Sequence, residues 1–228
     1  NSDPYFENLF EVFKVSIHSL IETVSTDQTV ITIINNACKK EVTDYIDLLL
    51  EDKKIDKHVK LASNYGKVYT IISEAKASYE DYITIADADV FYFNDWESEV
   101  FKIFKVSNKV GVVAPLPAPQ GAFYNNVSLF GRILKKPKKA NVVDPNSFEL
   151  FEKGTNNPKI FHHNRHNWKE SQYYVEKEGV KACVGSGHFV ATYKNVFKEI
   201  PSLKPEFVFI PDDEDKYLDS QFDKLGYY

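Results

Sequence analysis

Apolar residues first recur at steps of three and four: Phe6, Leu9, Phe10, Phe13, Ile17, Leu20, Ile21 and Val24. That spacing predicts one apolar face of a helix running to about Val24, with Asp3 as its cap and Pro4 at its first position. Polar residues Ser25 to Gln28 end it. The period then changes. TVITIINN, from Thr29, is rich in β-branched residues and reads as a strand buried on both faces. A second amphipathic helix is expected over 41–52, with Val42, Tyr45, Ile46 and Leu49 facing inward. Further along, 58–62 predicts a short strand, 63–66 a turn, 67–78 a helix and 82–86 a strand. A helix over 95–107 and a buried strand from Val110 (VGVVAPL) complete the run.

Strand and helix thus alternate over residues 29–116. Apolar β-branched runs separated by amphipathic helices predict an α/β fold, with a mostly parallel sheet covered by helices on both faces. Ligands of such sheets bind outside the carboxyl ends of the strands. The remainder is less regular. PLPAPQG (115–121) is a Pro-rich turn, 122–180 mixes strand-like, basic and polar stretches, and HHNRHNW (162–168) reads as a polar loop. A strand to Val184, a Gly-Ser-Gly turn, another apolar stretch and a short helix follow. A helix over 213–225 is expected to carry acids in its first turn. No repeat or linker divides the chain, so 1–228 reads as a single domain with halves 1–116 and 117–228.

Composition narrows the classes. A chain of 228 residues, 43% hydrophobic and 27% charged, can bury a sizeable core. A net charge of −5 with mixed signs argues against a general nucleic-acid binder. Cys38 and Cys183 lack ligand-like spacing and read as reduced thiols of a cytoplasmic protein. No run of 18 apolar residues predicts a membrane span. There is no visible signal peptide, and the sequon Asn126-Val127-Ser128 is therefore read as unmodified. The absence of Met suggests a fragment, a processed chain or numbering that begins inside a longer protein.

The candidate chemistry sits in YITIADADVFYF (82–93). Asp87 and Asp89, one residue apart, follow an apolar strand. Carboxylates are costly to bury without partners, whereas a pair at a strand end makes a hard, oxygen-rich site for Mg²⁺ or Mn²⁺. Such an ion offsets charge that grows on a departing diphosphate. Both side chains face one way only if the strand continues regularly. If the turn has begun, one is left to bind metal and the other a ribose hydroxyl or water.

The surrounding sequence resembles the family 2 glycosyltransferases of the GT-A fold. Three stretches match in order over about residues 29–228: NYGKVYTIISEAKASYEDYITIADADVFY, which leads to the family's D-x-D motif; VGSGHFVATYKNVF, its small-residue turn; and EDKYLDSQFDKLGY, its "ED…L…G" helix. The resemblance implies a Rossmann-like domain with a nucleotide-sugar-binding half (1–116) and an acceptor-binding half (117–228). It implies that Asp87 and Asp89 hold the nucleotide diphosphate and its Mn²⁺ or Mg²⁺, with Asp89 the direct metal ligand. It also implies that Asn64 and Gly66 lie near the nucleotide and that Gly185, Ser186, Gly187, His188 and Glu214 border the acceptor. Asp215 falls on the position of the catalytic base, with Glu214, Asp213 and Asp212 as acidic neighbours. A base there that activates a hydroxyl opposite the leaving diphosphate inverts the anomeric centre. Some enzymes of this fold add a histidine to the metal shell, which marks His188 as a third metal candidate. The family's first strand normally precedes the helix that begins here at Tyr5. Either that strand is missing from this chain or the resemblance is shifted. The small-residue turn reads Gly-Ser-Gly-His where the family often has Gly-Gly-Asn, and Ser220 and Gln221 stand near a position that is commonly basic.

The partners implied are a nucleotide-diphosphate sugar and a saccharide or lipid-linked saccharide, with no nucleic acid. KKPKK (135–139) gives a basic cluster for peripheral contact with an anionic inner membrane face. Arg165 and Trp168 are candidates for phosphate contact or sugar stacking, and His162, His163 and His166 for a metal. A Lys-, Asn- and Ile-rich composition hints at a bacterial source and surface polysaccharide synthesis. Two alternatives stay open: a GT-A-like module that binds sugar nucleotide or glycan without turnover, and a haloacid-dehalogenase-like phosphatase. The phosphatase motif normally opens its domain and carries Thr or Val where this chain has Phe91.

Overall fold

A computed structural model describes residues 8–131, 137–163, 166–204 and 214–228, with His163 and Asp215 described by their backbone alone. The expected cap at Asp3 and Pro4, Arg165, and the acids Asp212 and Asp213 lie outside the described residues. The α/β class expected from the sequence is the class observed. The chain divides into two compact units, Asn1–Glu80, Ala86–Glu97 and Asn195–Glu214 in one, Asp81–Ile85, Ser98–Lys194 and Asp215–Tyr228 in the other. Both sequence halves contribute to both units.

In the first unit, helix α1 (Leu9–Thr23) precedes strand β1 (Thr32–Asn35), helix α2 (Lys40–Glu51), strand β2 (Lys57–Lys60) and helix α3 (Lys67–Ala77). β1 and β2 run parallel, with Thr32 opposite Lys57 and Asn35 opposite Lys60. Parallel neighbours need a crossover, and α2 supplies it. The inner stripe of α2 is the one its periodicity predicts: Ile46 and Leu49 are buried with Ile17, Ile31 and Ile55, while Val42 and Tyr45 pack against them. Each fully buried aliphatic side chain contributes about 1.5–3 kcal/mol. β1 is shorter than TVITIINN implies, and only its last residue, Asn35, is fully buried.

Segment 86–97 is pinned to α1. The Tyr92 N–H donates to Ser19 Oγ at 3.0 Å, and Trp96 Nε1 donates to Thr23 Oγ1 at 3.2 Å. Glu97 accepts from the Ser25 N–H and from Thr29 Oγ1, at 3.1 and 2.8 Å. The apolar run VFYF is divided by these contacts: Tyr92 is buried, while Phe91 and Phe93 are exposed.

The second unit contains most of strand β3 (Tyr82–Ala86), most of helix α4 (Trp96–Val106), strand β4 (Val112–Val113), helix α5 (Val127–Gly131), strand β5 (Lys138–Ala140) and helix α6 (Pro145–Gly154). Strands β6 (His162–His163), β7 (His166–Asn167), β8 (Gln172–Lys177), β9 (Val180–Cys183) and β10 (Val190–Lys194) follow, then helix α7 (Ser220–Lys224). One sheet has the order β3-β10-β4, with β10 antiparallel to β4, and a second has the order β5-β8-β9, antiparallel throughout. The β8–β9 hairpin turns on Glu178 and Gly179, both at positive φ (54° and 82°), as the twist of a two-residue hairpin requires.

Three expectations change here. Within HHNRHNW, residues 162–163 and 166–167 pair as short antiparallel strands rather than a loop, with His163 opposite His166. Trp168 is buried in the core with Phe148, Phe161 and Leu129, so it is not exposed for sugar stacking. The strand expected from Val110 shortens to Val112–Val113. The described part of the basic run is engaged by protein: Lys138 pairs with Glu176 at 3.0 Å and Lys139 lies over the Tyr173 ring.

Candidate functional site

β3 stops at Ala86, so Asp87, Ala88 and Asp89 stand in a turn at its carboxyl end. The condition for two parallel-facing strand carboxylates is therefore not met. Asp87 keeps 26% of its side chain exposed, and Asp89 is exposed. Asp87 forms an ion pair with Lys67, the first residue of α3, and the same ammonium reaches Glu214 Oε1 at 2.7 Å. Glu214 was expected on the acceptor side. It reaches the cation that Asp87 uses.

The electrostatics of this cluster are uneven. Burial alone would lower the Lys67 pKa, but the hydrogen bonds to Asp87 and Glu214 outweigh it and raise the net value. The ammonium is held charged. Burial pushes the Asp87 carboxyl above the usual range. Lys67 pulls it down, while the Glu214 and Asp89 charges push it up. Two carboxylates, Asp87 and Glu214, share the one lysine, and burial is the main cause of the raised Asp87 value.

The loop before Lys67 is fixed by a pair of asparagines. Asn64 Oδ1 accepts from the Gly66 N–H at 2.9 Å and from Asn36 Nδ2 at 2.8 Å, and Asn36 Oδ1 accepts from the Tyr65 N–H at 2.9 Å. Gly66 has φ 80° and ψ 160°, a conformation that favours glycine. The end of β1 thereby sets where α3 begins, and so where Lys67 starts. Asn64 and Gly66 belong to the same unit as Asp87, Asp89 and Glu214. Sequence reasoning missed Lys67 and Asn36. Their available signals were an Asn-Asn ending to a β-branched run and a lysine directly after the loop glycine.

The second unit holds the small-residue turn, Gly185 to His188, between β9 and β10. Gly185 has φ 111°, and a Cβ there would lie 2.3 Å from the Ala118 carbonyl oxygen. The Ala118 N–H donates to the Gly185 carbonyl at 3.1 Å, and Ser186 forms a bridge with Pro117. The turn is thus seated on the Pro-rich segment, with Gly187 buried and Ser186 exposed. Gly185→Ala is expected to cost roughly 2–3 kcal/mol from the unfavourable φ and the collision, read as a lower urea midpoint. An unchanged midpoint would show that the backbone accommodates the methyl.

His188 Nδ1 lies 3.1 Å from Asp219 Oδ2, and Tyr193 OH donates to Asp219 Oδ1 at 2.8 Å. His188, expected to supplement the metal shell, has a carboxylate partner in its own unit. Asp215 opens a π-helical turn, Asp215–Asp219, that runs into α7. Such widened turns recur at functional sites. Asp219 was missed because its partners come from β10 and the preceding turn.

Among the described residues, no three His, Cys, Asp or Glu side chains converge to hold a metal. Mg²⁺ and similar ions often bind diphosphates through one or two carboxylates, with waters and phosphate oxygens completing the shell. Asp87 and Asp89 would supply the hard carboxylate oxygens that such an ion takes, with Asp87 also paired to the Lys67 ammonium. The residues present fit such an ion. Among the described residues no helix is long and apolar enough to cross a membrane.

No family model matches the chain, and no curated protein matches it. Among solved structures, the mannosyltransferase PcManGT from Pyrobaculum calidifontis, in complex with GDP-Man and Mn²⁺, is similar to part of it. The alignment covers 52% of this chain and 35% of that one, at 15% identity and a TM-score of 0.43. The match therefore spans about a third of that protein's length.

Proposed function

We propose that the chain is a metal-dependent, inverting glycosyltransferase that moves a sugar from a nucleotide-diphosphate donor to a hydroxyl on a saccharide or lipid-linked saccharide. The observation that carries this reading is the turn after β3, where Asp87 and Asp89 stand together at the strand's carboxyl end and Asp87 shares the Lys67 ammonium with Glu214. Asp87 and Asp89 would hold Mn²⁺ or Mg²⁺, which neutralises charge gathering on the leaving diphosphate. The Asn36–Asn64 lock and Gly66 shape the nucleotide side. The turn from Gly185 to His188 borders the acceptor, and Asp215 takes the proton of the attacking hydroxyl. A cytoplasmic setting, where sugar nucleotides and reduced thiols coexist, suits the reading.

A thermal-shift screen of nucleotide sugars with and without Mn²⁺ tests it. A matching donor at a hundred times its Kd stabilises by about 2.7 kcal/mol. For a chain of this size each kcal/mol raises Tm by about 2–4 °C. The shift should require Mn²⁺. No shift with any donor, or hydrolysis of a generic phosphate ester that Asp87→Asn abolishes, would overturn the proposal.

A further inference from the structure

The Lys67 ammonium is paired with Asp87, the carboxylate on which the donor reading places a metal ion. It is 38% exposed, and the two carboxylates it touches come from distant segments, the turn after β3 and the start of the last helical stretch. Its backbone is fixed: it begins α3 directly after a loop locked by Asn36 and Asn64. Only the flexible four-carbon stem lets the head group move. We infer that Lys67 is an internal cation that competes with the divalent ion for Asp87, and that a diphosphate relieves this competition by taking the displaced ammonium. This rests on the donor reading above and adds a residue and a coupling to it.

The physical argument is one of charge in a confined place. A divalent ion on Asp87 repels an ammonium bonded to the same carboxylate, most strongly where solvent is partly excluded. Displaced, Lys67 keeps Glu214 but loses a charge-assisted hydrogen bond in a half-buried setting. Metal alone therefore binds weakly. A diphosphate presents anionic oxygens beside the ion and gives the freed ammonium a new partner. Metal and diphosphate then strengthen each other's binding by the same factor, as linkage requires. A lysine present only to hold the fold together would produce no such coupling.

The order of Mn²⁺ affinities in three proteins, measured by electron paramagnetic resonance of free Mn²⁺ without nucleotide, tests the competition. Lys67→Met keeps the stem and removes the charge, so it should bind Mn²⁺ about tenfold more tightly than wild type. Lys67→Arg holds carboxylates through a planar fork, so it should bind more weakly than wild type. Equal affinities, or weaker binding in Lys67→Met with an unchanged circular dichroism spectrum, would overturn the inference. Should Lys67→Met fail to fold, the comparison of Lys67→Arg with wild type decides. The same titrations with ADP, GDP, UDP and CDP in turn test the coupling. At least one should tighten Mn²⁺ binding fivefold or more in wild type and less than twofold in Lys67→Met. If no nucleotide binds, the donor reading fails, and the metal-only order still judges Lys67. If a nucleotide binds but its gain is equal in both proteins, the donor reading stands and the coupling through Lys67 falls.

Discussion

Asp215→Asn is expected to lower the rate of sugar transfer by about a thousandfold, within the range of 10²–10⁴ typical of a lost general base. The amide keeps the shape of the carboxylate but cannot accept a proton from the attacking hydroxyl. Asp215→Asn leaves Asp87, Glu214 and Lys67 in place. The Mn²⁺-dependent thermal shift with donor should therefore persist. A variant that keeps more than a tenth of the wild-type rate would remove Asp215 from the mechanism. Loss of both rate and donor shift would assign the residue to binding or folding instead.

Asp87→Ala carries the second large effect: the donor-induced shift should vanish altogether, with or without Mn²⁺. The unliganded protein should change far less. Lys67 retains Glu214 at 2.7 Å after the substitution, and partly exposed ion pairs are worth about 0.2–1 kcal/mol. Burial is also the leading cause of the raised Asp87 pKa, so removing the carboxyl relieves a desolvation cost. Unliganded Tm should stay within about 4 °C of wild type. Full donor binding by the folded variant would mean that the turn after β3 is not where the diphosphate sits.

The regular part of the fold was legible for a plain reason. Through residue 106, amphipathic stripes such as Val42, Tyr45, Ile46 and Leu49 alternate with short β-branched strands, so period and element agree. After Pro115 that agreement ends. β5, β6 and β7 are two or three residues long, too short for a period to register. The strand pairing in HHNRHNW is set by its flanks: Trp168 N–H donates to the Phe161 carbonyl at 3.0 Å, and both rings are buried. Nothing in its own polar residues announces that.

The candidate site divides in the same way. Asp87 and Asp89 could be seen because they interrupt an apolar run. Lys67 could not, because a lysine in the first turn of a helix usually faces water, and its meaning depends on Glu214, far along the chain. Asp219 was hidden similarly. Four residues after Asp215 it reads as the same solvent face of an α-helix, yet it is tied to His188 and Tyr193.

The widened turn from Asp215 to Asp219 bears on how such a protein would change over generations. Ordinary helical winding advances by roughly 100° per residue. Deleting one codon between these two acids would let the turn tighten to regular winding, while Tyr193 kept its grip on the downstream carboxylate. The tighter winding would absorb the lost residue, so position 215 would keep nearly its old direction. A lineage could thus shorten the chain here without re-aiming the acid, a step that comparison of amino-acid identities would overlook.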